Sequence, residues 1–307
     1  MSYTGPLVDA HHHFWDIGMH KHPWIVPQPG KEMVFGDPTP LYRDYLPKHL
    51  REDAKNWNLV GSVHIEAGWV ADDPLGETRW LEELAEREGL PSAIVVKVPL
   101  EDPRVEAVLA EQCAFPRVRG VRYILSWHDD PNKAFAARPD WMQDRQWLEG
   151  FGLLETFGLS FDLMIYPSQM GDAARLAADH PGTTIILNHV GSPADRDGES
   201  MARWRAGLKV MAAQPNVRIK LSDLVAYDHH WTLESLRDVT MACVDAFGPD
   251  RCMVGSDFPV AALHATWDEV FGSFDKILSG FTEDERRRMF FANAVRDYRI
   301  QIEQAPV

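Results

Sequence analysis

The sequence predicts an α/β protein built as a single (β/α)8 barrel of the TIM type, one domain over residues 1–307, with a long loop after the first strand. Three observations carry that prediction. Short apolar runs alternate with helix-sized segments, the pattern of parallel strands covered on their outer face by helices. There are eight such units, and about 250 residues is the size of a closed barrel. No GxGxxG or Walker A segment appears, which weakens the runner-up, an open doubly wound sheet with a phosphate loop.

Taken in order, the first strand is Leu7–Ala10, running into His11, His12, His13, Phe14 and Trp15. Residues 14–40 show no helix or strand period and carry Pro23, Pro27, Pro29, Pro38 and Pro40. So long a connection is either a lid over a site or an N-terminal wrap packed on the body. Strands then follow at Val60–Glu66, Ala93–Val98, Val118–Leu125, Ser160–Ile165, Thr184–Leu187, Val217–Leu221 and Arg251–Val254. Helices are expected over Asp44–Trp57, Pro74–Glu88, Arg104–Gln112, Trp141–Phe157, Ser168–Asp179, Ser200–Ala213, Thr232–Phe247 and Thr266–Leu278. A last helix starts at Thr282, whose spacing to Glu285 matches a capping box.

Composition narrows the function. The chain is 45% apolar, enough for a large core, and carries a formal charge of −15. That field disfavours nucleic acid and anionic membranes as partners. No apolar run reaches the length of a membrane span, and no secretory leader is legible. Cys113, Cys243 and Cys252 form no CxxC pair, which fits a reducing cytoplasm better than a disulfide framework. There is no GxSxG elbow and no HExxH helix.

In a barrel, chemistry gathers at the carboxyl ends of the strands. Alternation along the first strand puts His11 and His13 on one face and His12 on the other, a pincer for a divalent metal or a polar substrate. The second strand presents His64 and Glu66, expected to share a face. The remaining strand ends offer Lys97, then Arg122 and Tyr123, Asp162 and Tyr166, Asn188 and His189, Lys220, Ser222 and Asp223, and finally Ser256 and Asp257. Convergence of His11, His13, His189 and Asp257 on one mouth is the strongest functional signal. Each has a plainer reading: His189 as a hydrogen-bonded core residue, Asp257 as a turn cap, Lys97 and Lys220 as snorkelling side chains. Arg122, inside an apolar strand, is either ion-paired or awaiting an anionic or carbonyl ligand. Trp15, Tyr166, His64 and Glu66 are further candidates for substrate contact. The 11 tryptophans suit sugar stacking, an interface between copies of the chain, or ordinary packing.

The segments VDAHHHFWD, RGVRYIL, FDLMIYP, IILNHVGSP, NVRIKLSDL and MVGSDFPV together resemble the amidohydrolase-2 group of the amidohydrolase superfamily, and within it the lactonase branch of sugar lactonases and 2-pyrone-4,6-dicarboxylate lactonase. The resemblance covers nearly the whole chain. It implies a (β/α)8 hydrolase opening a lactone. His11 and His13 match the family HxH, His189 the sixth-strand histidine, and Asp257 the eighth-strand aspartate that deprotonates the attacking water. Arg122 matches a substrate-contacting arginine. Two departures matter. The fifth strand ends Ile165–Tyr166–Pro167–Ser168 without a histidine, so the resemblance implies one divalent ion such as zinc, held by His11, His13, His189 and Asp257, or no metal, rather than a two-metal site. Ser126–Trp127–His128 stands where the dicarboxylate enzyme has a second arginine, which points to a neutral or mono-anionic sugar lactone. The rival readings are a metal-dependent, non-hydrolytic decarboxylase of the same superfamily and a non-catalytic barrel that binds a sugar or a protein.

Overall fold

A computed structural model describes residues 2–27, 30 and 33–302; Pro29 of the long loop and residues 303–307 lie outside the described residues. Eight strands form one parallel sheet in chain order: β1 (Leu7–His12), β2 (Leu59–Ile65), β3 (Ala93–Lys97), β4 (Val118–Ile124), β5 (Ser160–Met164), β6 (Ile185–Leu187), β7 (Val217–Leu221) and β8 (Cys252–Val254). The ring nearly closes just past β8, where Asp257 N donates to His11 O (2.8 Å) and His13 N to Phe258 O (2.8 Å). This is the (β/α)8 architecture.

Helices fill the crossovers: α1 (Pro47–Asp53), α2 (Gly76–Glu88), α3 (Val105–Cys113), α4 (Arg145–Thr156), α5 (Met170–Asp179), α6 (Gly198–Ala212), α7 (Leu224–Tyr227), α8 (Leu233–Phe247), α9 (Trp267–Ile277), α10 (Glu283–Arg287) and α11 (Asn293–Asp297). Most boundaries fall within two residues of those expected. The helix expected over 44–57 shrinks to α1, because Tyr45 is drawn into an antiparallel bridge with Trp15 and Pro47 can occupy only the first turn. The helix expected over 141–157 is broken at Asp144, whose carboxylate accepts from Trp147 N (3.0 Å) and starts α4 afresh. The capping box at Thr282 and Glu285 forms as expected.

Two apolar layers hold the barrel. Outside the strands, Trp147, Phe151 and Phe161 pack together between α4 and β5, and Trp204 of α6 is fully buried. Inside, Val8, Ala10, Val63, Ile65, Val95, Ile186 and Met253 form a separate core closed by Tyr298 and Ile300. Val8 and Ala10 therefore face inward, and strict alternation would bring His12 in after them. Instead the β1–β2 pairing shifts register between Asp9 and His12. That irregularity swings His11 and His13 into the barrel mouth and leaves His12 outside against Phe14 and His64. Such shifts commonly re-aim side chains beside active sites. Among the described residues no helix is long and apolar enough to cross a membrane, and the three cysteines are free thiols.

Candidate active site

The mouth is built on strand ends. His11 is the penultimate residue of β1, and His13 follows one residue beyond the strand. His189 lies two residues past β6, Asp223 two past β7 and Asp257 three past β8. His189, Asp223 and Asp257 all adopt positive φ (51°, 57° and 59°). Left-handed backbone costs a non-glycine residue roughly 1–2 kcal/mol, and the turn it makes points each side chain back over the barrel axis. Strain of this kind concentrates at functional sites.

Three imidazoles surround one carboxylate oxygen. Asp257 Oδ1 lies 3.1 Å from His11 Nε2, 3.2 Å from His13 Nε2 and 3.9 Å from His189 Nε2. Each ring is fixed through its other nitrogen. His13 Nδ1 donates to Ile65 O (2.8 Å). His189 Nδ1 meets Ser222 Oγ (3.1 Å), and His11 Nδ1 meets Lys220 Nζ (3.3 Å). Beneath them Lys220 pairs with Asp162 (2.6 Å), which also accepts from Tyr298 Oη (2.9 Å) and Asn188 Nδ2 (3.0 Å). A buried lysine and aspartate thus brace His11 from below.

Burial raises the Asp257 carboxyl, but the imidazoles of His189, His11 and His13 overcome it and hold it well below the usual carboxylate range. Burial and the adjacent Asp257 charge push Asp223 well above that range. Asp223 therefore holds a proton more tightly than Asp257 does. Burial, reinforced by Lys220, keeps His11 neutral, and burial lowers His189 to about 3. The floor of the site is the Asp257 carboxylate among three imidazoles.

Above it opens a cavity of about 230 Å³. His13, His189, Asp223, Asp257, Arg122, Glu66, Lys97 and Tyr227 line it together with Trp24, Met33, Phe35, Ile124, Phe135, Met164 and Val260. The loop after β1 thus roofs the site with Trp24, Met33 and Phe35. Of the residues expected there, Arg122 and Glu66 reach the cavity as a buried ion pair: Arg122 Nε donates to Glu66 Oε1 (2.9 Å) and Nη2 to Glu66 O (2.7 Å). His64, expected to share a face with Glu66, does not. Val63 and Ile65 face the interior, so His64 faces out, accepting from Phe14 N at Nδ1 (3.0 Å) and meeting Glu77 at Nε2 (3.4 Å). Trp15 is fully buried behind His13, with Nε1 donating to Arg43 O (2.7 Å). Tyr166 donates its hydroxyl to Lys133 O (2.6 Å) and is 2% exposed. These three support the walls and do not line the cavity. Asp223 and Lys97 were visible as strand-end residues without a role. Only the fold shows that Asp223 lies beside Asp257 and that Lys97 opens into the cavity.

Residues 8–300 match the model of the amidohydrolase family. The chain belongs to that family. Two relatives align over nearly their full lengths. An uncharacterised protein, y4mH of Sinorhizobium fredii, is 37% identical over 96% of this chain and 98% of its own. An L-fucono-1,5-lactonase of Burkholderia multivorans is 32% identical over 95% of both chains. Among solved structures, a Burkholderia multivorans amidohydrolase with bound zinc superposes with a TM-score of 0.82 at 29% identity, over 97% of this chain and 100% of that one.

The donor set of this amidohydrolase fits such an ion. Ligand atoms of His11, His189 and Asp257 all lie within 4.8 Å of one another, and all three residues are buried. His11 Nε2 is buried and, despite its closeness to Asp257, makes no hydrogen bond. Two imidazole nitrogens and a carboxylate oxygen are the donors that one zinc ion takes in a site with an open position. His13 borders this group through Asp257 without joining it.

Proposed function

We propose that this amidohydrolase hydrolyses a small lactone, a sugar-acid lactone in the first instance, as a single-domain cytoplasmic enzyme that needs neither membrane nor nucleic acid and is open to self-association. The observation that carries the proposal is the gathering of three imidazoles around ionised Asp257 at the floor of an enclosed cavity. The lactonase among its relatives supports the reaction class. The cavity volume of about 230 Å³ lies below the range for drug-sized ligands and suits a monocyclic substrate.

Asp257 serves as general base. Being ionised, it accepts a proton from water attacking the lactone carbonyl. Its weak basicity requires help at the carbonyl or at the water. A zinc ion held by His11, His189 and Asp257 would supply Lewis-acid polarisation there. His13, anchored by Ile65 O, orients the Asp257 carboxylate through Nε2. Arg122 spends Nε and Nη2 on Glu66. A guanidinium has five N–H donors, so Nη1 is left to hold an oxygen of the substrate's ring or its substituent. Collapse of the tetrahedral adduct expels the ring oxygen as an alcohol, with its proton returned from the acid pair. Trp24, Phe35 and Phe135 shield the reacting carbonyl from bulk water.

The test is a panel of aldonolactones and muconolactones assayed before and after chelation. Asp257→Asn should lower turnover by about 10²–10⁴-fold with an unchanged far-ultraviolet circular dichroism spectrum. Near-normal rates in that variant remove Asp257 as base. Carbon dioxide release from aromatic or muconate-type acids, with no lactone opened, would replace hydrolysis by decarboxylation.

A further inference from the structure

Three basic side chains project from the inner strands, and two of them are spent. Arg122 is neutralised by Glu66 (2.8 Å) and Lys220 by Asp162 (2.6 Å). Lys97 is the exception. It ends β3 after four buried residues, is itself exposed, and lines the cavity. Among the described residues its ammonium has no ion pair or hydrogen bond. A lysine on the outer surface needs no partner, but this one stands inside the mouth of the barrel. Beside the Arg122–Glu66 ion pair and the apolar Trp24, Phe35, Ile124, Phe135, Met164 and Val260, it is among the described residues the positive charge of this wall without a counter-charge.

Its position is as informative as its charge. With strands ordered 1 to 8 around the ring, β3 and β4 lie opposite β7 and β8. Lys97 and Arg122 are partners in register, so the wall whose net positive charge is Lys97 faces Asp223 and Asp257 across the cavity. A substrate whose carbonyl sits at the carboxylate side must present its far substituent to Lys97, with its ring between the apolar walls. A substituent rich in hydroxyls would find few partners there, and buried polar groups without partners cost about 1–3 kcal/mol each. A carboxylate would find an ammonium. On a chain of net charge −15, an anionic ligand is otherwise repelled, so this local cation decides whether it can bind.

We infer that Lys97 is a specificity-determining residue that selects a monocyclic lactone bearing one carboxylate arm and a largely apolar ring. This rests on the lactonase reading for the bond cleaved, not for the anion held, and it replaces the hydroxyl-rich sugar ring of that reading by one with few hydroxyls. The probe is a matched pair, 5-oxotetrahydrofuran-2-acetate and its neutral amide, with the non-hydrolysable 3-oxocyclopentaneacetate and its amide for binding. The wild-type enzyme should favour the acid over the amide by about tenfold or more in kcat/KM, chiefly through KM. It should bind the ketone acid more tightly than the ketone amide by calorimetry. In Lys97→Met both preferences should collapse toward unity, and Lys97→Arg should restore most of them. Equal handling of acid and amide by the wild type overturns the inference. So does a preference that survives in Lys97→Met, or a Lys97→Met loss equal for both, which would place Lys97 at the shared carbonyl. If no lactone is opened but the ketone acid binds in a Lys97-dependent way, the hydrolase reading fails and the anion site stands.

Discussion

Gly255→Ala tests the closure on which the site depends. Gly255 directly follows β8, where the chain passes beside His11. A Cβ added there would lie 2.8 Å from both the N and the Cβ of His11. Carbon atoms rest near 3.5 Å or beyond, so β1 or the β8 turn must retreat by about 0.7 Å. Overpacking of this size costs about 1–3 kcal/mol, which for a chain this long lowers Tm by roughly 2–5 °C. The effect on chemistry should be larger. The displaced strand carries His11 Nε2 at 3.1 Å and His13 Nε2 at 3.2 Å from Asp257, and a misplacement near 1 Å can cost about 10²-fold in rate. Calorimetry gives Tm, and initial rates on whichever lactone is accepted give kcat/KM. A variant with unchanged Tm and unchanged kcat/KM would show that the β1–β8 seam does not set the geometry of the site.

Two further outcomes follow from groups around the mouth. Zinc added to chelated protein should raise Tm, by about 2.7 kcal/mol of stability at a hundredfold excess over Kd, and His189→Ala should abolish the shift; no shift at any zinc concentration would remove the proposed ligand set. Glu77 offers the pH test: burial raises its carboxyl, but His22 and His64 overcome this and hold it far below its unfolded value of 4.5. A depressed acid adds stability above the unfolded value and loses it as pH falls below, so wild-type Tm should drop more steeply than that of Glu77→Gln between about pH 5 and 3. Parallel curves would refute the coupling.

The barrel was legible because its physics is local. Runs such as IIL, CMV and VRIKL can only be buried strands at that spacing, and eight of them with helical crossovers close a ring. The convergence of His11, His13, His189 and Asp257 was legible for a related reason: the end of a strand fixes where a side chain stands. What the sequence hides is phase. The register shift between Asp9 and His12 depends on the neighbouring strand, and without it His12 would occupy the mouth. The same uncertainty put His64 and Glu66 on one face, whereas the chain leaves β2 after Ile65 and separates them. Tyr166 and Trp15 carry polar tips suited to a substrate, yet each tip is used by a backbone carbonyl from a distant loop, a contact that no periodicity encodes. Asp223 needed its positive φ before its pairing with Asp257 could be seen.

Charge compensation inside the barrel separates support from chemistry. A buried charge with a partner is satisfied and serves to hold strands in place: Lys220 with Asp162 ties β7 to β5, and Arg122 with Glu66 ties β4 to the end of β2. Removing one member of such a pair leaves a bare charge and costs about 3–5 kcal/mol, so these groups resist change whatever the substrate. The groups left over are of two kinds. Asp223 and Asp257 stand side by side with their acidities driven apart, and among the described residues Lys97 has no counter-charge. A bound lactone would therefore be held from opposite walls of the cavity. That separation, rather than the identity of any one residue, fixes the orientation in which a lactone can present its carbonyl to Asp257.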